Sequence, residues 1–132
     1  MHNRTNTEYE DFLSDVLSDL HQSLDIAKNA GIPNDKIITD PGICFAKSLE
    51  QNLIITNNLE ILKTLGRPIL YGSSRKSMIG LTLNLPRDER VEGTVSTTVI
   101  ACMKGAMFVR VHDVKENVRA VKMTEAILNS GR

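Results

Sequence analysis

Three short stretches of this chain carry the residue types that do chemistry, and each follows an aliphatic run. Lys36-Ile37-Ile38-Thr39 leads into Asp40-Pro41-Gly42. Pro68-Ile69-Leu70-Tyr71 leads into Gly72-Ser73-Ser74-Arg75-Lys76-Ser77, and Ala106-Met107-Phe108-Val109 leads into Arg110-Val111-His112. Residues two apart in an extended chain face the same side, so Arg110 and His112 project together, with Val109 and Val111 opposite. Gathered at one place, these groups make a site of one carboxylate and two or three cations. Such a set suits a ligand with a donor-rich edge, which an acceptor-only carboxylate holds, and an anionic tail, which the cations hold.

Each stretch also has an ordinary structural alternative. Asp40 before Pro-Gly fits an Asx turn. Ser74-Arg75-Lys76-Ser77 fits a solvated helix start, although basic residues there oppose the helix dipole unless an anion lies nearby. Arg110 can equally pair with Asp113 or Glu116, and His112, like His2 and His21, says little alone. The functional reading rests on all three stretches falling at equivalent strand ends, where parallel α/β folds gather their functional groups.

The elements that would place these groups follow from periodicity. From about Thr7 to Ala30, Tyr9, Phe12, Leu13, Val16, Leu17, Leu20, Leu24 and Ala27 keep helical spacing. Thr7 with Glu10 fits a capping box at its start, and Gly31 before Ile32-Pro33 a stop. A strand near residue 36 is followed by a helix from about Ser48 to Leu65, capped by Ser48 with Gln51 and ended by Gly66. A strand at 68–71 runs directly into the Gly-Ser-Ser-Arg-Lys loop. The stretch 88–104 is rich in β-branched residues (Thr94, Val95, Thr97, Thr98, Val99), which locally prefer strand. Its length and its place between two strands predict a helix. A strand at 106–111 precedes a last helix, 113–128, with Asp113 and Glu116 at its cap. The strands start near residues 36, 68 and 106, the pitch of a repeating βα unit, and parallel strands require such helical crossovers.

Composition narrows the classes. In 132 residues, 16 Lys and Arg balance 16 Asp and Glu, which lacks the basic excess of a nucleic-acid module. No apolar run approaches the roughly 20 residues of a membrane span, and the N-terminus does not resemble a signal peptide. The interior is aliphatic, with three Phe, two Tyr and no Trp, as suits parallel strands buried between helices. Cys44 and Cys102 have no metal-ligand or disulfide spacing and read as core thiols of a cytoplasmic domain.

Together, Ile38-Thr39-Asp40-Pro41-Gly42-Ile43-Cys44-Phe45-Ala46-Lys47, Gly72-Ser73-Ser74-Arg75-Lys76-Ser77 and Arg110-Val111-His112-Asp113-Val114 resemble, in order and spacing, the C-terminal half of the dihydropteroate synthase family. Met1-His2-Asn3-Arg4 is similar to the end of that family's fifth barrel strand, so the resemblance covers essentially the whole chain. The Ser-Arg-Lys and Arg-Val-His pair is specific to the family. The Asp-Pro-Gly element is shared with pterin-binding methyltransferases.

The resemblance implies that residues 1–132 are a pterin-binding domain fragment, the C-terminal half of a TIM (β/α)8 barrel. It would run from the end of the fifth strand through the eighth βα unit, with parallel strands and flanking helices. The implied activity is a transferase step of folate biosynthesis. There, 6-hydroxymethyl-7,8-dihydropterin diphosphate condenses with 4-aminobenzoate to 7,8-dihydropteroate and pyrophosphate, assisted by Mg²⁺, in a cytoplasmic homodimer or higher oligomer. By motif position, Asp40 would accept from the pterin's amino-pyrimidine edge, and Lys76 would meet its carbonyl and ring nitrogen. Arg110 would stack on the ring and reach toward phosphate, and His112 would hold the diphosphate. Gly72 and Ser74 would line the pterin slot, Met1 would pack below the ring, and Phe45, which would also touch the pterin, would border the aminobenzoate pocket with Ser77.

The chemistry implied is departure of diphosphate to leave a resonance-stabilised pterin methylene cation, captured by the aniline nitrogen. Catalysis then rests on stabilising the leaving group, and no activated nucleophile is required. Cys44 and Ala46 stand where the family usually has Gly. The family's first four strands, with the Mg²⁺ ligand and two mobile loops, have no counterpart in this sequence. The 132-residue chain alone is therefore expected to be inactive. A pterin-binding methyltransferase fragment and a non-catalytic pterin- and anion-binding assembly module are the alternatives.

Overall fold

The periodic N-terminal stretch forms α1 (Asn6–Asn29). It ends in a Schellman motif: with Gly31 at φ +82°, the N–H groups of Gly31 and Ile32 reach the carbonyls of Lys28 and Ala27, each at 3.0 Å. This structure, a computed structural model, describes residues 6–45 and 47–131, with side chains from residue 8 onward. Met1, Ala46 and the cap expected from the Thr7 side chain lie outside the described residues.

Three parallel segments form the sheet, and all are shorter than expected. Residues 34–36 turn as a 3-10 helix, so the first segment pairs only at Thr39, bridged to Ile69. There the Thr39 N–H meets the Pro68 carbonyl at 2.9 Å, and the Leu70 N–H meets the Thr39 carbonyl at 2.8 Å. Strand β1 (Leu70–Tyr71) pairs in parallel with β2 (Phe108–Val109), Leu70 opposite Phe108 and Tyr71 opposite Val109. Each outer segment has one neighbour among the described residues, so regular pairing is confined to the middle of the sheet.

The expected helix at 48–65 is two pieces. In α2 (Leu49–Asn57) the Ser48–Gln51 capping box forms as expected. The helix stops at Asn58, whose side-chain amide donates to the Ile54 carbonyl at 2.9 Å, a local bond that competes with helical continuation. A 3-10 turn, Leu59–Leu65, follows and ends at Gly66 with φ +74°. Helix α3 (Ser77–Leu83) begins straight after the Ser-Arg-Lys loop, where Ser74–Ser77 also fitted a helix start, and ends at left-handed Asn84.

Helix α4 (Val91–Met103) forms despite its β-branched residues. Thr94 and Thr97 give their hydroxyl protons to the carbonyls of Arg90 and Thr94, each at 2.8 Å, which absorbs side chains that would otherwise favour strand. Helix α5 (Val114–Leu128) lacks the expected Asp113–Glu116 cap: Asp113 makes no side-chain bond to the helix start. Its carboxylate is taken instead by Arg75, at 2.8 and 3.2 Å, a bidentate pair stronger than a neutral cap bond.

The core gathers Ile43, Ile55, Leu59, Leu62, Ile69, Tyr71, Met78 and Ala101 between the sheet and its helices. Cys44 and Cys102 are half-buried rather than core thiols. No helix among the described residues is long and apolar enough to cross a membrane.

Candidate functional site

The three strand ends do converge. Gly72, Ser74, Lys76, Arg110, Val111 and His112 line one cavity of about 130 Å³. Asp40 stands beside it, its Oδ2 3.8 Å from Arg110 Nη2, a loose pair between partly exposed groups. Asp40 also makes the Asx turn that its sequence allowed, accepting the Gly42 N–H on Oδ1 at 2.8 Å. The two roles are compatible, because a carboxylate offers about four lone-pair positions and the turn uses one. Arg110 pairs with neither Asp113 nor Glu116. Its guanidinium lies over Gly72, where a Cβ would sit 3.0–3.4 Å from Nη2, Nε and Cζ. Glycine there is what lets the planar group settle against the backbone.

Lys76 is held from the first loop. Its Nζ donates to the Ile43 carbonyl at 2.8 Å and sits 5.0 Å from the centre of the Phe45 ring. Burial pulls its pKa below the usual lysine range, with neighbouring Arg110 adding to the effect. Two of its three protons remain free for a ligand. Phe45 is exposed beside it, and Ser77 Oγ lies 3.5 Å from Cys44 Sγ at the same rim. Cys44 adopts φ +70°, the left-handed conformation in which glycine is at ease and cysteine is strained. Its N–H is caught by Asn52 Oδ1 at 2.8 Å, and this bond holds the loop in place.

His112 is fixed by Ser74, whose Oγ lies 2.8 Å from His112 Nδ1 and accepts the His112 N–H at 3.0 Å. Ser74 therefore supports His112 as well as lining the cavity. Arg75, left-handed at φ +57°, turns away to Asp113. That carboxylate holds the guanidinium pKa above its usual range, and the guanidinium lowers the Asp113 carboxyl in return.

Several residues that build this site were not singled out in the sequence. Asn52, Thr56, Thr94, Thr98 and Asn117 are buried on the inward faces of their helices. Thr56 gives its proton to the Asn52 carbonyl at 2.9 Å, so the Tyr71 hydroxyl, 2.7 Å away, donates to Thr56. Burial raises the Tyr71 pKa and keeps that proton in place. Ser73 meets Thr97 at 2.7 Å, Thr94 accepts the Arg75 N–H at 3.1 Å, and Thr98 donates to Asn117 at 2.6 Å. Arg90 donates to the Arg75 carbonyl at 2.8 Å. The polar pairs Asn52/Thr56 and Thr94/Thr98, each four apart, were the available signal.

Comparison with known proteins gives the family and the fold. Residues 1–112 match the family model of the pterin binding enzymes. The chain is 62% identical over 129 residues to the dihydropteroate synthase of Clostridium beijerinckii, covering 97% of this chain and 48% of that protein. It is 50% identical over 131 residues to that of Bacillus subtilis, covering 99% and 46%. The fold superposes on a Yersinia pestis dihydropteroate synthase solved with a pterine–sulfa conjugate, with a TM-score of 0.89 at 38% identity, over 98% of this chain and 50% of that one. The chain thus spans about half the length of the relatives it matches, and its short parallel strands and flanking helices are part of an α/β barrel. The chain belongs to the pterin-binding enzyme family.

Proposed function

We propose that this chain supplies the pterin- and diphosphate-holding part of a dihydropteroate synthase, the C-terminal half of its barrel. The reaction joins 6-hydroxymethyl-7,8-dihydropterin diphosphate to 4-aminobenzoate and releases pyrophosphate. The observation that carries the proposal is the convergence of Lys76, Arg110 and His112 on one cavity, with Asp40 at its edge. Asp40 takes the N–H groups of the pterin's amino-pyrimidine edge on the acceptor positions its turn leaves free. Lys76 turns its free protons to the ring's carbonyl and nitrogen. Arg110, planar and settled on Gly72, offers its other face to the ring and its edge to phosphate, a geometry lysine lacks. His112 donates to the diphosphate, and Phe45 and Ser77 border the aminobenzoate.

As diphosphate leaves, negative charge builds on its oxygens. The fixed cations at the strand ends stabilise that charge more than they stabilise the bound substrate, which is the origin of their catalytic effect. The resemblance also implies Mg²⁺. This pocket does not fit it: Mg²⁺ requires near-octahedral oxygen ligands, and here one carboxylate stands among cations. Among the described residues no three metal-ligating side chains lie together.

Calorimetric titration with the pterin diphosphate tests the proposal. Wild type is expected to bind, and Asp40→Asn to lose about 2–3 kcal/mol, because it leaves a donor facing donors. Equal affinities would confine Asp40 to its turn.

A further inference from the structure

We infer that Ser74 is a positioning residue that sets the tautomer of His112, making Nε2–H the donor presented to the anion. The inference rests on the anion-holding role proposed for His112 and follows from counting protons. Ser74 Oγ accepts the His112 backbone N–H at 3.0 Å, which occupies one lone pair. The same oxygen lies 2.8 Å from His112 Nδ1, and a hydroxyl has a single proton to give. If Ser74 gives that proton to Nδ1, every group is satisfied and the ring proton sits on Nε2. If Nδ1 carries the proton, the Ser74 hydroxyl hydrogen has no acceptor among the described residues, and Ser74 is 7% exposed. The second arrangement forfeits a protein hydrogen bond that the first one makes, so the first is favoured.

The consequence is a histidine whose donor is directed at Nε2. Nε2 has no partner among the described residues, and the ring lines the cavity with Arg110 and Lys76. The carbonyl of His112 is also engaged, 3.1 Å from the Val114 N–H, so backbone and ring are both fixed at the start of α5. Ser74 thus acts through His112, as an orienter of a histidine does wherever the second ring nitrogen is held.

Two measurements on the full chain test this. Long-range ¹H–¹⁵N correlation spectra of the neutral ring are expected to show His112 as Nε2–H alone in wild type and in Ser74→Thr, and as a tautomer mixture in Ser74→Ala. Pyrophosphate titration supplies a double-mutant cycle. Ser74→Ala is expected to weaken binding about tenfold in wild type and to have no further effect once His112→Ala is present. An Nδ1–H ring in wild type, an unchanged tautomer in Ser74→Ala, or additive losses in the cycle would each overturn the inference. Failure of wild type to bind pyrophosphate would instead count against the proposed function, and the spectra would still decide the tautomer.

Discussion

Asp40, Lys76 and Arg110 are each placed by a neighbour in the fold and keep capacity for a ligand. The Asx turn of Asp40, the Ile43 carbonyl under Lys76 and the Gly72 bed of Arg110 fix three side chains before any ligand arrives, which lowers the ordering cost of binding. Arg110→Lys is therefore expected to weaken pterin diphosphate binding at least tenfold while leaving thermal stability unchanged, measured by calorimetry and thermal melts. The Arg75–Asp113 pair makes a separate, pH-dependent prediction. Hydrogen bonds from Arg75 lower the Asp113 pKa below its ordinary value of 3.8, so below that value the unfolded chain binds more protons than the native one. The pair's contribution is complete above that pH and is lost as pH falls through the depressed native value. Asp113→Asn should show a flatter decline in stability below about pH 4 in denaturant titrations, and an identical acid limb would remove the pair from the account.

The helices position the site by close approach. In α4, a Cβ on Gly93 would overlap Ile79 Cγ2, and Ile79 is a buried, β-branched side chain of α3. Gly93→Ala is expected to cost about 1–3 kcal/mol of stability, as overpacking does, and a midpoint equal to wild type in urea would show that α3 relaxes. How much of this was legible beforehand follows from the same physics. The Ser48–Gln51 box, the Gly31 and Gly66 stops and the convergence of three strand ends were readable, because caps, left-handed glycines and period-two alternation are local signals. The break at Asn58 and the placement of Asp113 were not. Each depends on a side chain choosing between a backbone group and a partner, and the partner of Asp113, Arg75, lies 38 residues away. The hydroxyl ladder through Thr94 and Thr97 was hidden for the opposite reason: those residues spoke locally for strand, and tertiary bonding overrode them.

Seen whole, the molecule is a parallel sheet whose outer segments each have a single neighbour among the described residues. Ile38, Met107 and Phe108 are large apolar side chains exposed along them. Unpaired edges and exposed apolar surface favour association with another chain, and a dimer or higher oligomer is expected by light scattering at micromolar concentration. The 132-residue chain alone is expected to release no measurable pyrophosphate with both substrates and Mg²⁺. It spans half of its relatives' length, and binding groups without the rest of the barrel neither exclude water nor position the second substrate. A groove of about 660 Å³ between α1 and α2, lined by Tyr9, Leu13, Leu53 and Ile54, is larger than the strand-end cavity but holds none of its cations. The strand ends, and not this groove, are expected to hold the pterin. A crystal structure with bound pterin diphosphate tests it most directly. The amino-pyrimidine edge is expected on Asp40, the ring against Arg110, and the diphosphate within hydrogen-bond distance of His112. A pterin seated between α1 and α2, or a diphosphate away from Arg110 and His112, would contradict it.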